Sequence, residues 1–262
     1  MGLFDNIKTS VQAGQGYAGM IKIDPATLKT LGENMTSWHK DQIPFATALA
    51  LTRTAQRVKK AEIEWMAQGF EGGPIPWTLK SLYLKRAEKA RLYARVWFID
   101  YASNGTPAGE YLKPQIYGGG RKAKRGEKAI RSRHKLGNSR FLVPGRHVPV
   151  DAFGNVKGIK ATMQRVLANI RGGRDDKNDT KKGKGTSFFM GKPKGRSGPI
   201  GVWERRKKKL RLYAVETAEP QYTGKFDFFG ISEEIVGKYY DKEFTDALNH
   251  AIGTAMSRVS FK

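Results

Sequence analysis

The side chains able to do covalent or metal chemistry are few in this 262-residue chain: cysteine is absent and histidine occurs only at 39, 134, 147 and 250. No histidine is paired with a second one at a metal-binding spacing, and without thiolates the usual zinc sets, disulfides and cysteine nucleophiles are excluded. The segment Lys182-Gly183-Lys184-Gly185-Thr186-Ser187 superficially resembles a phosphate loop. It lacks the glycine four residues ahead of a Gly-Lys-Ser/Thr unit and the buried strand that would position it. The acid pairs Asp175-Asp176 and Glu233-Glu234 are explained by a solvated loop and by a helix N-terminus. No nucleophile stands beside a base. The expectation is a protein without catalytic residues, metal or cofactor.

What remains is charge. Forty-eight lysines and arginines face 24 acids, for a net charge of +24 and a pI near 10.1. The excess is local: residues 113–140 hold ten cations against one acid, and residues 171–211 hold fifteen against four, so these two segments carry +20 of the +24. Both are laced with glycine. Flexible backbone lets each cation find a phosphate without a fixed base sequence, which favours salt-sensitive, sequence-blind contact with a polyanion or acidic partner. The candidate contact residues are Arg121, Lys122, Lys124, Arg125, Arg131 and Arg133 in the first segment. In the second they are Lys181, Lys182, Lys184, Arg205, Arg206, Lys207, Lys208 and Lys209. A single lysine run is most often a solvated loop, and the argument rests on there being two nearly acid-free ones. Tyr117 is the only ring in 113–140, so a stacking platform for single strands is poorly represented there.

The elements that must carry these cations follow from periodicity. Residues 42–69 read as a long helix with Arg53, Arg57, Lys60 and Glu64 along one polar edge, Pro44 in its first turn and Gly69 past its last. Thr78 reads as the cap of a short helix reaching about residue 85. Residues 90–99 alternate, with Leu92, Ala94, Val96 and Phe98 on one side and Arg91, Tyr93, Arg95 and Trp97 on the other, as a strand requires. Residues 122–136 suit a basic helix, 140–143 a short strand, 158–170 a helix and 171–185 a mobile loop. Residues 186–190, 200–204 and 210–215 suit strands, the last two joined as a hairpin with a cationic tip. A final helix spans 232–259, with Ser232 as cap and Val236, Tyr240, Phe244, Leu248, Ala251, Ala255 and Val259 as its apolar stripe. Strands and helices do not alternate in series, so the expected class is α+β. It is an antiparallel sheet packed by the long N-terminal-half helix and the C-terminal helix, with extended basic loops. The expected division is an arm at 1–41, with a short helix at 25–31, and one domain at 42–262 with basic insertions at 113–140 and 171–199. No apolar run of about 18 residues suggests a membrane span, and the N-terminus does not read as a signal peptide.

Several stretches carry a family resemblance: residues 43–56 (IPFATALALTRTAQ), 78–86, the strand at 90–99, Gly201-Val202-Trp203-Glu204-Arg205, Leu210-Arg211-Leu212-Tyr213, and residues 244–256 (FTDALNHAIGTAM). Together they resemble the bacteriophage minor tail protein Z or tail completion family, over 42–102 and 200–262. These are loose patterns of residue type, and residues 113–194 depart from them in length. The resemblance implies a non-enzymatic virion protein of the tail or neck, assembled in the host cytoplasm. It would form a homo-oligomeric ring, six-fold or twelve-fold, at the head-tail junction. Its implied partners are portal or head-tail adaptor proteins, tail tube or nozzle proteins, and the packaged double-stranded DNA of the channel. The competing reading is a basic RNA-binding or ribosome-associated protein, whose glycine-rich cationic extensions thread folded RNA. A DNA-processing nuclease stands third.

Overall fold

The computed structural model describes residues 9–13, 18–23, 37–103, 105–133, 136–146, 148–171, 186–193, 197–206 and 209–259. The chain is α+β and divides into two compact units, Met1–Tyr117 with Gly224–Lys262, and Gly118–Thr223. This differs from the expected single domain with two insertions. The middle of the chain has strands, helices and a core of its own.

Among the described residues, unit 1 holds a four-stranded antiparallel sheet, ordered β1 (Thr9–Ala13), β2 (Ala18–Ile23), β4 (Tyr93–Phe98), β3 (Leu82–Lys85). Residues 9–13 and 18–23, expected in an N-terminal arm, instead form two strands, with β2 paired to β4 from Ala18 opposite Trp97 to Lys22 opposite Tyr93. The short helix expected at 25–31 lies outside the described residues. Two long helices pack on this unit, α1 (Ser37–Gly69) and α7 (Phe228–Val259). α1 begins five residues before the expected start, which places Pro44 inside it, where the missing N–H costs one backbone bond. The short helix α2 (Pro76–Lys80) stops before the expected residue 85. Leu82 is fully buried and pairs with Phe98, so from there the chain is drawn into the sheet. Thr78 is not a cap. It lies buried within α2, its hydroxyl 2.6 Å from that of Tyr111. The short helices α3 (Ala108–Tyr111) and α4 (Lys113–Tyr117) complete the first part of the unit.

The core of unit 1 joins Ala46, Ala50, Leu51, Ala55, Val58 and Met66 of α1 to Val236, Tyr240, Phe244, Ala247 and Ala251 of α7 and to Ala94, Val96 and Phe98 of β4. Of the predicted α7 stripe, Val236, Tyr240, Phe244 and Ala251 are buried and Leu248 packs partly buried against them. The predicted cap is not Ser232, because α7 begins a turn earlier and Asp227 accepts the Gly230 N–H at 2.9 Å. At the base of the core Phe226 stacks on Trp65 at 4.6 Å and meets Phe70, Phe98 and Phe228 edge-on. Phe226 is wholly buried. Phe226→Ala is expected to destabilise unit 1 by about 3–5 kcal/mol, measured by denaturant unfolding; a loss below about 1 kcal/mol would mean that these rings do not form one packed cluster.

Unit 2 is built on a second four-stranded antiparallel sheet, ordered β6 (Phe141–Pro144), β9 (Lys209–Thr217), β8 (Gly201–Arg206), β7 (Thr186–Gly191). Helices α5 (Arg125–Arg131) and α6 (Ile159–Arg171) bring Ile130 and Val166 onto Leu142, Phe188, Val202, Tyr213 and Ala214. Gly201 has no room for a side chain, since a Cβ there would overlap the Ala214 carbonyl on β9. A two-stranded ribbon pairs β5 (Gly119–Gly120) with β10 (Gln221–Tyr222).

Candidate polyanion interface

The partition of charge follows the fold. Unit 2 contains 28 lysines and arginines against 8 acids, or +20, while unit 1 has 20 against 16, or +4. Within unit 2 the predicted cations separate into two kinds.

Of the six in the first segment, three arginines are used internally. Glu127, at the third position of α5 and nearly buried, accepts four hydrogen bonds. Arg121 grips it with both terminal nitrogens, at 2.6 and 2.9 Å, and the Lys124 and Leu142 N–H groups donate at 2.6 and 2.8 Å. The sequence calls for this arrangement, because an acid three residues past a helix cap can reach back to the cap N–H and meets the positive end of the helix. Burial alone would push the Glu127 carboxyl upward, but Arg121 and the two N–H groups outweigh it and hold its pKa below the ordinary value. Arg121 also lies 5.0 Å over the Phe141 ring, and Arg131 lies 4.8 Å over the same ring while donating to the Arg140 carbonyl. Arg133 donates to the Ala129 carbonyl at 2.8 Å, and Arg140 to Glu216 at 2.9 Å. Lys122, Lys124 and Arg125 are at the surface.

The second segment is different. β8 and β9 form the predicted hairpin, in which Glu204 faces Arg211, Arg205 faces Leu210 and Arg206 faces Lys209. Opposite charges across the ladder support each other at Glu204 and Arg211; further out, Arg206 and Lys209 are like charges directly opposed, which disfavours the isolated hairpin. Both are exposed, and among the described residues neither makes an ion pair. Arg205 lies 5.4 Å over the Phe189 ring on β7. Lys207 and Lys208 lie outside the described residues, as do Lys181, Lys182 and Lys184 and most of the expected mobile loop. The two segments are not brought together along the sheet. Phe141, next to Arg140, pairs with Thr217 at the far end of β9 from Lys209, a separation of about 26 Å at the usual rise per residue.

Two features of unit 1 were not foreseen as polar sites. Arg57 binds the nearly buried Glu243 at 2.7 Å and lies 4.6 Å over Tyr239; Arg57 and Glu243 line, with Arg53, Gln56 and Lys60, a shallow groove whose anion is already the chain's own. Glu62 is wholly buried, with the Ser232 hydroxyl donating to Oε1 at 3.1 Å and Oε2 without a partner. Burial pushes its pKa up to about 9, with Asp227 adding to the effect against the Ser232 bond. Its place in the helical period, one turn past Val58 and four before Met66, was the available signal. Among the described residues no group of histidine, aspartate and glutamate could hold a metal ion, and no helix is long and apolar enough to cross a membrane. No family model, curated protein or solved structure matches the chain.

Proposed function

We propose that the protein is a structural component of a phage particle at the head-tail junction. In this reading unit 1 is the body that assembles into a ring with portal or adaptor and tail proteins, and unit 2 holds the packaged duplex DNA without reading its sequence. The observation that carries the DNA contact is the separation of charge: +20 on unit 2 and +4 on unit 1. Duplex DNA presents a charge about every 1.7 Å of axis, and a symmetric ring repeats each subunit's cations around that axis. The place in the particle is supported by the residue-type resemblance over 42–102 and 200–262.

Within unit 2 the hairpin end is the expected contact, since Arg206 and Lys209 stand exposed and opposed, with no ion pair to either among the described residues. Arg206→Ser combined with Lys209→Ser is expected to lower duplex affinity and to reduce the slope of log affinity against log salt by about 2, near 0.9 for each phosphate no longer neutralised. A slope left unchanged would remove the hairpin from the DNA interface. The location is tested separately by mass spectrometry of purified virions: presence in particles, with a ring of this protein at the neck by electron microscopy, supports the reading. Recovery only with ribosomes in ribonuclease-sensitive form would instead favour the RNA-binding alternative.

A further inference from the structure

The sheet of unit 1 has a second face that the proposed function does not use. Along β4, Ala94, Val96 and Phe98 are buried in the helix-packed core, so Tyr93, Arg95 and Trp97 stand on the opposite side. The β3 register sets Tyr83 beside Trp97 and Lys85 beside Arg95. The Tyr83 and Trp97 rings are 5.9 Å apart and tilted by 35°. The Arg95 guanidinium lies 5.1 Å over Trp97, and the Lys85 ammonium 5.8 Å over Tyr93. Tyr83 is 47% exposed. None of these five residues is acidic. Arg95 Nε is shut off from solvent without an acceptor.

Such a face has neither ordinary composition. A sheet face meant for a core carries aliphatic residues, and one meant for water carries threonine and charges of both signs. Along β3 and β4 this one alternates rings with cations, in steps of about 6.6 Å. A nucleic acid strand with splayed bases offers the matching alternation, a flat π-face and then a phosphate. We propose that this face binds single-stranded nucleic acid, with bases stacked on Trp97 and Tyr83 and phosphates held by Arg95 and Lys85. The charge complementarity is complete, since the five side chains carry two positive charges and no negative one. Duplex is a poor occupant because its bases already stack on each other and hide the faces the rings require. The site therefore discriminates by strandedness, which the hairpin cations of unit 2 do not. It stands on other residues and does not depend on the head-tail reading.

The test uses the full-length protein with labelled oligo-dT and oligo-U of about 16 nucleotides and a duplex of the same length, in salt high enough to weaken purely ionic contacts. Tyr83→Ala and Trp97→Ala are each expected to weaken single-strand binding by about tenfold or more while duplex binding holds. Trp97→Phe should restore most of the loss, which a merely electrostatic site would not require. Stronger binding of one oligomer shows which of the two strands the face prefers, and either outcome supports the proposal. Three results overturn it: no single-strand binding by the parent protein, unchanged single-strand affinity in both Tyr83→Ala and Trp97→Ala, or an equal loss for duplex. A concentration-dependent dimer that Tyr83→Ala abolishes, with nucleic-acid binding intact, would assign the face to a second copy of the chain. Because the Arg206 and Lys209 variants act on duplex, failure here and failure of the proposed function are separable.

Discussion

Glu62→Gln is expected to stabilise the protein at mildly alkaline pH and to remove the pH dependence that this carboxyl gives unit 1. The parent carboxyl ionises at 4.5 in the unfolded chain but only at about 9 in the folded one, so folding takes up a proton throughout that window. The stability associated with neutral Glu62 is complete below the unfolded value and is lost as pH rises toward the folded one, at about 1.4 kcal/mol per pH unit. Near pH 8 the loss amounts to roughly 3–5 kcal/mol relative to acid. A glutamine keeps the shape and a partner for Ser232, carries no titrating proton and escapes that loss. Melting curves of parent and variant should nearly coincide near pH 5 and separate steadily above it. Parallel curves across the range would show that Glu62 reaches water when ionised and that the α1–α7 seam is not sealed.

Arg121→Ser is expected to have the opposite sign and comparable size, in the other unit. The substitution leaves Glu127 buried with its N–H partners but without its counter-ion, and loss of one partner of a buried pair costs about 3–5 kcal/mol. In a unit of this length that corresponds to a fall in melting temperature of about 10 °C or more. Because the two units need not unfold together, hydrogen exchange of α5 and β6 is the cleaner readout. Lys122→Ser and Arg125→Ser, at the surface nearby, should leave that protection intact. An Arg121 variant that lost duplex affinity with no change in protection would mean that its role is to hold the partner. The Glu127 carboxyl, held below its usual range, contributes stability that is present above the ordinary carboxylate value and disappears as pH falls through the depressed one. Through these two carboxyls, acid weakens unit 2 while it favours unit 1.

The sequence made the fold class readable because α1, α7 and β4 each repeat one period for long enough to declare it. Element ends were less readable. Asp227 outcompeted Ser232 as cap because the chain enters α7 through the buried Phe226 and Phe228, which no local pattern announces. The short helix after Thr78 was cut off by a strand pairing sixteen residues away in sequence, between Leu82 and Phe98. Glycines in residues 118–126 suggested pliancy, yet Arg121 is fixed by Glu127 six residues on and by the Leu142 backbone. Charge counting cannot distinguish an arginine spent on its own fold from one held out to a partner. The distinction depends on which acids and carbonyls tertiary structure brings within reach.

The ribbon of β5 and β10 has a consequence at the level of the gene. Gly119–Gly120 and Gln221–Tyr222 close the two ends of residues 118–223 to the spacing of neighbouring strands, about 5 Å. On the other side of the junction the Lys225 and Phe226 N–H groups both bond to the Gln115 carbonyl, so the host framework is also stitched shut at that place. A segment with adjoining ends can be lengthened, exchanged or removed in one recombination event without rethreading its host. Residues 118–223, which carry most of the net charge, can thus change in length without altering the strand order of the unit that carries them.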